Sequence, residues 1–514
     1  MRGAVTARRW PLDGLASWSG DERPAHLHRR DDGTTVTVTR AGLRLEVARR
    51  AGALRARGVA SGDRVGLVAS HPETFLPTFL ALLWLGAVAV PLAPPSFGRR
   101  DPWRSHIDEA LGLVRPRLVC APPGLVDDLA AAAVAPVAAY EVLAGGDEVP
   151  APVATDDHAP AYVQFTSGTT GRPRAVVATR ASLGANCAAI EAGIDLDGDR
   201  DIGVTWLPLH HDMGLVGFGC AALAVGVPVV HLANSAFIRD PSLWMRATAA
   251  YGGTVTFGPN FGFALAARRA RADQVAALDL SRLRVLGCGA EPINAATLES
   301  FVAAYAPAGL DAAALTPCYG LAEATLAVSF AHGLRTDGAG TVDCGRPVAG
   351  HEVKVVGGEV WVRGPSVAAG YLDEQAPDTF RPDGWLRTGD LGYLDRGGLH
   401  ITGRVRDVLV VRGANTDPHR VEWAAALVPG VRDGGVIAFT RPGTDTEEVV
   451  VVIECPPRAP AEVAEAVHAM VSAEVGLVPA EVVRVRPGTL PKTTSGKPRR
   501  QEARRRYLAG ELVP

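Results

Sequence analysis

Cysteine pairs are missing from this sequence. The seven cysteines are scattered, odd in number and never spaced as C-x-x-C. This pattern is typical of reduced thiols in a cytosolic protein rather than of disulfides or a zinc site. Residues 1–14 also contain no apolar core of the kind that a secretion signal carries. We therefore expect a cytoplasmic protein.

An excess of charge of either sign is also lacking. The formal net charge is −3, and charged residues make up 21% of the chain. A chain so close to neutral has little electrostatic attraction for a phosphate backbone, so we do not expect a nucleic-acid partner. Arginine is dense only at Arg499–Arg506, where Glu502 interrupts the run. We interpret that run as a solvated helix face.

No apolar stretch continues without interruption over the length of a membrane span. The stretch Thr74–Phe97 carries no charge and is long enough to cross a bilayer. However, four prolines and Gly86 break it. A buried helix at Thr78–Leu85, followed by a buried strand at Val88–Leu92, explains the pattern better. We expect no stable membrane insertion.

The length of the chain, 514 residues, predicts more than one domain. Short apolar strands alternate with helical patterns over the first two thirds of the chain, which predicts α/β layers with mainly parallel sheets. The strands become short and alternating from Gly345, which predicts a β-rich subdomain at about 345–403. A compact series of strands and helices follows, and it is long enough for a separate domain at 404–514.

The densest group of hydroxyls and glycines follows a predicted strand at Ala159–Val163. It reads T-S-G-T-T-G-R-P-R from Thr166 to Arg174, and a helix is predicted after it at Ala181–Ile194. Hydroxyls and consecutive backbone N–H groups can surround a phosphate, and arginine can bind its oxygens. The stretch is not a Walker loop, because it lacks G-x-x-x-x-G-K-[ST]. Taken alone, it also fits a solvated turn.

Five further stretches place polar groups in apolar surroundings, namely Trp206–Gly214, Gly287–Pro292, Cys318–Thr325, Trp385–Gly392 and Leu490–Arg499. The first contains two adjacent histidines, whose spacing is poor for one metal ion, so we predict a loop that lines a pocket. The third pairs an aromatic ring with a carboxylate four residues on, which suits a stacked base and a Mg²⁺ that bridges phosphates. Each stretch alone also fits an ordinary turn or helix start.

The order of these stretches is more specific than any one of them. Along the chain run T-S-G-T-T-G, Y-G-L-A-E, R-T-G-D, G-R-x-x-D and P-K-T-x-S-G-K. In this order the chain resembles the adenylate-forming superfamily of acyl-CoA synthetases, peptide-synthetase adenylation domains and luciferase. The stretches L-P-L-H-H-D-M-G, F-G-P-N-F-G-F, G-A-E-P and W-V-R-G-P-S-V-A-A-G-Y look most like its fatty acyl-AMP ligase branch.

The resemblance covers nearly the whole chain and implies both a fold and an activity. The fold is α/β, with a large N-terminal domain of two α/β-layered sheets plus the β-rich subdomain at 1–403, and a small mobile α+β C-terminal domain. The activity is the conversion of a carboxylic acid, by default a fatty acid, to acyl-AMP with ATP and Mg²⁺. The acyl group would then pass to the phosphopantetheine thiol of an acyl carrier protein in polyketide, nonribosomal peptide or lipid biosynthesis.

The matching motifs carry over a role for each site residue. The nucleotide would be bound by Thr166, Ser167, Gly168, Thr169 and Thr170 at the phosphates, by Gly289, Ala290, Glu291, Tyr319 and Gly320 at the adenine, and by Asp390 and Arg404 at the ribose. The acyl pocket would be lined by Trp206, His210, Asp212 and Gly214.

The remaining roles concern catalysis and movement. Glu323 would hold Mg²⁺, and Lys497 would bridge the acyl carboxylate and the phosphate in the transition state. His211 would stand where the acyl pocket meets the thiol tunnel. Asp407 would be the hinge about which the C-terminal domain turns between the two half-reactions.

The chain departs from the family pattern at several positions. Arg174 replaces the usual lysine, which keeps the charge, and His210 replaces a tyrosine or phenylalanine, which alters the pocket. Only eleven residues, 331–341, stand where fatty acyl-AMP ligases have a longer insertion associated with poor use of CoA. Three hypotheses therefore stay open: a ligase that loads a carrier protein, an acyl-CoA synthetase, and an inactive nucleotide-binding homologue. The acid could also be an aryl or otherwise modified one.

Overall fold

The computed structural model describes residues 9–30, 32–95, 100–131, 134–166, 173–338, 340–372, 376–411, 414–443, 447–492 and 498–512. Its strands are β1 (Pro24–Arg29), β2 (Thr35–Thr39), β3 (Arg64–Val68), β4 (Val88–Leu92), β5 (Leu118–Ala121), β6 (Val137–Ala139), β7 (Pro160–Thr166), β8 (Arg174–Thr179), β9 (Gly203–Thr205), β10 (Val229–Leu232), β11 (Val255–Gly258), β12 (Val285–Cys288), β13 (Leu315–Gly320), β14 (Ala327–Phe330), β15 (Arg346–Pro347), β16 (Glu352–Val356), β17 (Glu359–Arg363), β18 (Gly370–Tyr371), β19 (Leu386–Asp395), β20 (Gly398–Arg404), β21 (Leu409–Val411), β22 (Ala414–Thr416), β23 (Val436–Pro442), β24 (Glu447–Glu454) and β25 (Glu481–Val485).

Its helices are α1 (Pro11–Ser17), α2 (Arg40–Ala56), α3 (Pro72–Leu85), α4 (Arg100–Val114), α5 (Pro123–Ala130), α6 (Arg180–Ile194), α7 (Ala222–Val225), α8 (Asn234–Arg239), α9 (Leu243–Ala250), α10 (Asn260–Arg269), α11 (Ala272–Val275), α12 (Ala295–Tyr305), α13 (Pro418–Ala426), α14 (Val463–Val475) and α15 (Arg500–Leu508). Met213–Ala221 forms a π-helical segment that continues into α7.

Two large sheets form the first part of the fold. The seven-stranded sheet has the order β18-β8-β7-β4-β3-β5-β6, and the nine-stranded sheet has the order β15-β14-β13-β12-β11-β9-β10-β1-β2. The central strands of both sheets are parallel. Antiparallel pairs lie at both edges of the nine-stranded sheet and at the β18 edge of the seven-stranded sheet, whose other edge strand, β6, is parallel to β5. This confirms the predicted α/β layers with mainly parallel sheets.

One buried apolar cluster lies between the two sheets. It contains Leu67 of β3, Val204 of β9 and Leu286 of β12, together with the buried side chains of α3. The helix α3 begins at Pro72, earlier than the predicted Thr78, although Pro77 lies inside it. Burial of the surrounding apolar side chains therefore outweighs the helix-breaking tendency of that proline.

A four-stranded antiparallel sheet, β16-β17-β19-β20, follows the two large sheets. Between β17 and β19, the chain leaves this sheet and adds β18 to the edge of the seven-stranded sheet. On the way, the Ala368 N–H donates to the Glu323 carbonyl at 2.9 Å, and the Thr325 hydroxyl donates to the Ser366 carbonyl at 2.7 Å. The three sheets therefore meet at the turn after β13.

The last hundred residues have a core of their own. The hairpin β21–β22 and the sheet β23-β24-β25 are accompanied by α13, α14 and α15. Val421, Val451 and Val467 belong to a buried apolar cluster made only of residues from this part of the chain. An ion pair between Arg268 of α10 and Asp433 connects it to the rest. Among the residues described, no helix is long and apolar enough to cross a membrane.

Candidate active site

Tyr319, Asp390 and Arg404 meet where the nine-stranded sheet adjoins the four-stranded sheet. The Tyr319 hydroxyl donates a 2.6 Å hydrogen bond to Asp390 Oδ2, and Arg404 Nε lies 2.9 Å from Asp390 Oδ1. Asp390 and Arg404 stand opposite each other in the antiparallel pair β19–β20. The aspartate is therefore held from two sides. The structure places it within a strand, not in the simple glycine turn that its sequence also fits.

The electrostatics of this trio keep Tyr319 and Arg404 protonated. Burial, together with the adjacent charge of Asp390, raises the pKa of Tyr319 well above its ordinary value, so the phenol remains a donor. The charge of Asp390 raises the pKa of Arg404, which stays a cation. A carboxylate offers about four acceptor positions, so Asp390 retains capacity for further hydroxyl donors.

A second polar group lies beside the turn after β13. It consists of Glu323, Tyr371 and Arg174. The Tyr371 hydroxyl donates to Glu323 Oε1 at 2.9 Å. Arg174 Nη1 lies 3.5 Å from the Tyr371 hydroxyl, and its guanidinium carbon lies 4.9 Å from the ring centroid. Burial raises the pKa of Glu323, whereas the Tyr371 hydrogen bond lowers it. Tyr371 ends the W-V-R-G-P-S-V-A-A-G-Y stretch, but no sequence motif assigns it to the site.

The turns around these groups have unusual backbone conformations. Ala290 has φ 69° and Thr325 has φ 67°, a region that residues other than glycine seldom adopt. A Cβ at Gly289 would lie 2.6 Å from the Cys318 sulfur, and a Cβ at Gly320 would collide with the Leu326 carbonyl. Strained backbone of this kind is concentrated at binding sites.

Glu291 follows Ala290 in the first of these turns, and its side chain makes a hydrogen bond within the protein. Its Oε1 accepts a 2.8 Å hydrogen bond from the Phe261 N–H in the first turn of α10. Lys492 is close enough for the charge of Glu291 to act on it, although burial has the larger effect and lowers the pKa of Lys492. Lys492 is the first lysine of P-K-T-T-S-G-K. The second, Lys497, lies outside the described residues.

Only the ends of the hydroxyl-rich loop are described. Thr166 ends β7 and pairs with Arg174 at the start of β8. The two residues that flank the loop therefore lie side by side at one end of these strands. Ser167, Gly168, Thr169 and Thr170 fall outside the described residues. Their proposed contact with phosphates stays a prediction.

The Trp206–Gly214 loop packs deeply against aromatic side chains. Trp206 is 1% exposed and stacks on Phe237 with ring centroids 3.7 Å apart. A Cβ at Gly262 would lie 2.7 Å from the indole, so glycine makes room for it. Asp212 Oδ1 accepts a 2.8 Å hydrogen bond from the Met213 N–H at the start of the π-helical segment. Gly214 has no space for a side chain next to the Pro208 carbonyl.

His210 and His211 lie side by side in that loop, with ring centroids 4.5 Å apart. Gln164 of β7 donates a 2.8 Å hydrogen bond to the His210 carbonyl, which brings the loop next to the strand that precedes the hydroxyl-rich loop. Burial lowers the pKa of His210 to about 4, so its ring is neutral near pH 7. Among the residues that the structure describes, neither of its ring nitrogens has a hydrogen-bond partner.

The described part of the chain contains no group of three or more His, Cys, Asp or Glu side chains placed to hold a metal ion. A Mg²⁺ that bridges phosphates needs only one or two protein carboxylates, because the phosphates supply its other ligands. Glu323 supplies one such carboxylate.

Comparison with known proteins agrees with this geometry. Residues 17–372 match the AMP-binding enzyme family. The chain is 33% identical to a 4-hydroxyphenylalkanoate adenylyltransferase of Mycobacterium tuberculosis, over 88% of this chain and 83% of that protein. It is 32% identical to the long-chain-fatty-acid–AMP ligase FadD26 of Mycobacterium marinum, over 87% of each. A solved structure from a study of fatty acyl-adenylate ligases of E. coli and L. pneumophila matches with a TM-score of 0.89, at 30% identity over 99% of both chains.

These matches confirm the fold class and the resemblance that the order of motifs indicated. The family match covers both large sheets and ends one residue after β18. The chain belongs to the AMP-binding enzyme family and is a fatty acyl-AMP ligase-like enzyme.

Proposed function

We propose that this enzyme activates a fatty or related carboxylic acid with ATP and passes the acyl group to the phosphopantetheine thiol of an acyl carrier protein. In the first step, a carboxylate oxygen attacks the α-phosphorus, the bond to the bridging oxygen breaks, and pyrophosphate leaves. In the second step, the thiol loses its proton and its sulfur attacks the acyl carbonyl, while AMP leaves. The meeting of the Asp390 and Glu323 groups at one turn is the observation that supports this proposal.

The nucleotide would lie across the ends of β12, β13 and β19. Asp390 would accept the ribose hydroxyls, while Tyr319 holds the aspartate through its hydroxyl and presents its ring to the adenine. Gly289 and Ala290 would allow close approach of the base. Such positioning is the main contribution of a protein to phosphoryl and adenylyl transfer.

Glu323 would hold Mg²⁺ in the ionised state that the Tyr371 hydrogen bond favours. When bound, the ion would neutralise charge on the phosphates. Arg174 would add a positive charge on the same side. The loop from Thr166 to Thr170 would surround the β- and γ-phosphates, and Lys497 would bridge the acyl carboxylate and the α-phosphate.

The C-terminal residues would turn about Asp407 between the two steps. The Val405 N–H still bonds to Gly389 in β19 at 3.0 Å, whereas Arg406 and Asp407 are bound by residues of α15. Residues up to Val405 therefore contact the four-stranded sheet, and residues from Arg406 contact α15. This change lies close to the predicted boundary at 403/404. His211 and the loop Trp206–Gly214 would line the pocket for the acid.

The choice of acceptor separates the two enzymatic hypotheses. Two residues of the short segment 331–341 contact the residues around it. Asp337 is hydrogen-bonded to Tyr393, and Arg335 lies 3.1 Å from Asp343. The segment is also shorter than the insertion that the family resemblance associates with poor use of CoA, so its length gives no argument against CoA as acceptor. An acyl-CoA synthetase therefore remains the second candidate.

Mass spectrometry of reactions with ATP, Mg²⁺ and a panel of fatty and aryl acids tests the proposal. Each acid is incubated with CoA, with a phosphopantetheinylated carrier protein, or with neither acceptor. We expect acyl-AMP from a fatty acid and transfer to the carrier protein. Formation of acyl-CoA would instead establish the second candidate, and no adenylate from any acid would contradict both.

A further inference from the structure

The arginine run near the end of the chain contains a buried member. Arg500, the first residue of α15, is 7% exposed. Its Nε lies 2.8 Å from Glu422 Oε1, its Nη2 2.6 Å from Glu422 Oε2, and its Nη1 3.0 Å from Asp407 Oδ2. The interpretation of the run as a solvated helix face is wrong at this position. It is right for Arg505, whose side chain is 59% exposed.

This ion cluster suits arginine and no other side chain. Glu422 is 7% exposed and also accepts a 3.0 Å hydrogen bond from the Ala438 N–H, so its orientation in α13 is fixed. Both of its oxygens face the planar guanidinium, while a third nitrogen reaches Asp407. The compact ammonium of lysine cannot reproduce this fork. Loss of the arginine would leave two neighbouring carboxylates without their counter-charge.

Asp407 belongs to the connection between the four-stranded sheet and the C-terminal residues. The preceding Arg404 is paired with Asp390, and the Val405 N–H is bonded to Gly389. The next residue, Arg406, offers its carbonyl to the Gln501 side chain at 3.2 Å. Two successive residues of α15 therefore hold the connection immediately after it leaves the four-stranded sheet.

Along the chain, Arg500 follows residues 498 and 499, which flank the segment 493–497. Lys492 and Pro498 form an isolated antiparallel bridge, and the Arg499 N–H donates to the Pro491 carbonyl at 2.9 Å. We call these four residues, 491, 492, 498 and 499, the base of the loop 493–497. Arg500 follows that base directly, so the position of its side chain and the position of the base are linked through the first turn of α15.

We propose that Arg500 is a positioning residue that joins the connection at Asp407 to the base of the loop 493–497, so that both move as one piece. This inference rests on the proposed function, because it gives Arg500 influence over Lys497 in that loop. Arg500 contacts no substrate in this scheme. It acts on adenylation by placing the lysine.

Arg500→Met, Arg500→Lys and Arg504→Met separate this role from general stability. Arg504 lies one helical turn further on and donates to the Thr440 carbonyl at 2.7 Å, which makes it a matched control. We expect Arg500→Met to lower kcat for adenylation about 10- to 100-fold, the scale for a misplaced reacting group, with little change in KM for ATP. Arg500→Lys should recover part of the rate, and Arg504→Met should keep it. Hydrogen exchange at 405–409 and 489–499 should rise in Arg500→Met only.

Combination with Lys497→Ala decides whether the effect passes through the lysine. Once Lys497 is absent, Arg500→Met should slow adenylation no further. Equal losses with and without Lys497, or unchanged exchange at both segments, would overturn the proposal. If Lys497→Ala alone keeps the normal rate, the proposed catalytic lysine is wrong, while the exchange measurement still tests the link. Glu422→Gln provides the same exchange test if Arg500→Met does not fold.

Discussion

The Tyr371 hydroxyl lies 2.9 Å from Glu323 Oε1, so a residue of the edge strand β18 donates to a carboxylate at the turn after β13. Burial raises the pKa of that carboxyl, and the Tyr371 hydrogen bond opposes the increase. A donor to the ionised form favours ionisation. Tyr371 therefore helps to keep Glu323 negative, which is the state that a Mg²⁺ ligand requires.

Replacement of Tyr371 by phenylalanine removes this donor and keeps the ring. We expect the half-saturating Mg²⁺ concentration for adenylation to rise about 5-fold, the scale of one hydrogen bond. Activity should also need a higher pH, because the pKa of Glu323 rises further and the carboxylate forms later as pH increases. Pyrophosphate exchange measured against Mg²⁺ and pH checks both effects. Tyr393→Phe is the control, because its hydroxyl contacts Asp337 outside the site. If the low-pH side of the activity profile does not shift in Tyr371→Phe, Tyr371 does not favour ionisation of Glu323.

Asp390→Asn should weaken ATP binding. The substitution removes a charged acceptor for the ribose, and such hydrogen bonds correspond to about a 10- to 100-fold change in affinity. We expect KM for ATP to rise by that factor. Tyr319→Phe, which removes only the group that orients Asp390, should raise KM less. Titration of both variants with ATP makes the comparison, and an unchanged KM in Asp390→Asn would exclude contact with the ribose.

Lys497→Ala should leave ATP binding mostly intact and slow adenylation about 100-fold or more. This is the scale for loss of a preorganised charge in the transition state. Single-turnover formation of acyl-AMP measures the step directly. Lys492→Ala is a useful comparison, because that lysine belongs to the same motif. Adenylation at the normal rate in Lys497→Ala would refute its role.

Asp407→Pro should impair thiol transfer more than adenylation. Proline fixes φ and removes the N–H that now donates to the Arg404 carbonyl at 3.1 Å. Asp407→Asn keeps the backbone free but weakens the contact with Arg500, so it controls for loss of the charge. Rates of the two half-reactions, measured separately, give the result. Equal losses in both steps would argue against a hinge at this position.

A cluster of three buried histidines predicts sensitivity to acid. His26 and His28 lie on β1 and His231 on the adjacent strand β10, with His26 Nδ1 3.1 Å from His231 Nε2. Burial lowers the pKa of His26 to about 3 and that of His28 to about 4, and it also lowers the pKa of His231. The unfolded chain therefore takes up these protons first. The stabilising effect is complete above the ordinary pKa of about 6.5 and is lost as pH falls below it.

Between about pH 6.5 and about pH 4, the free energy of unfolding should decrease by up to about 1.4 kcal/mol per histidine for each pH unit. Urea unfolding over a pH series measures this slope. His28→Leu should reduce the slope by one histidine's share, whereas substitution of the exposed His158 by glutamine should not change it. A slope that is the same in His28→Leu and the unaltered protein would contradict this account.

The sequence predicted those residues of the candidate site that belong to short local motifs. Glu323 and Asp390 belong to local motifs, and the strands that carry them follow apolar alternation. It did not predict Tyr371, because its position depends on pairing between β18 and β8, nearly two hundred residues apart in sequence. A two-residue strand has too few side chains to show a period.

Two further differences have the same origin. Arginines at 499–506 look alike in sequence, and only the tertiary contacts with Asp407 and Glu422 distinguish Arg500 from its neighbours. The trio of Asp390 likewise depends on the register of β19 against β20, in which Asp390 faces Arg404. Register is fixed by packing of the whole sheet, so a single strand's pattern does not reveal it.

The detour of the chain through β18 limits how related enzymes can be recombined. If two related enzymes were joined at residue 345, Glu323 would come from the N-terminal parent and Tyr371 from the C-terminal parent. The edge strand β18 would then also come from a different parent than its partner strand β8. A junction between Val405 and Arg406 cuts neither contact. Hybrids joined there inherit the Asp390 trio from one parent and the Arg500 cluster from the other, each as an intact unit.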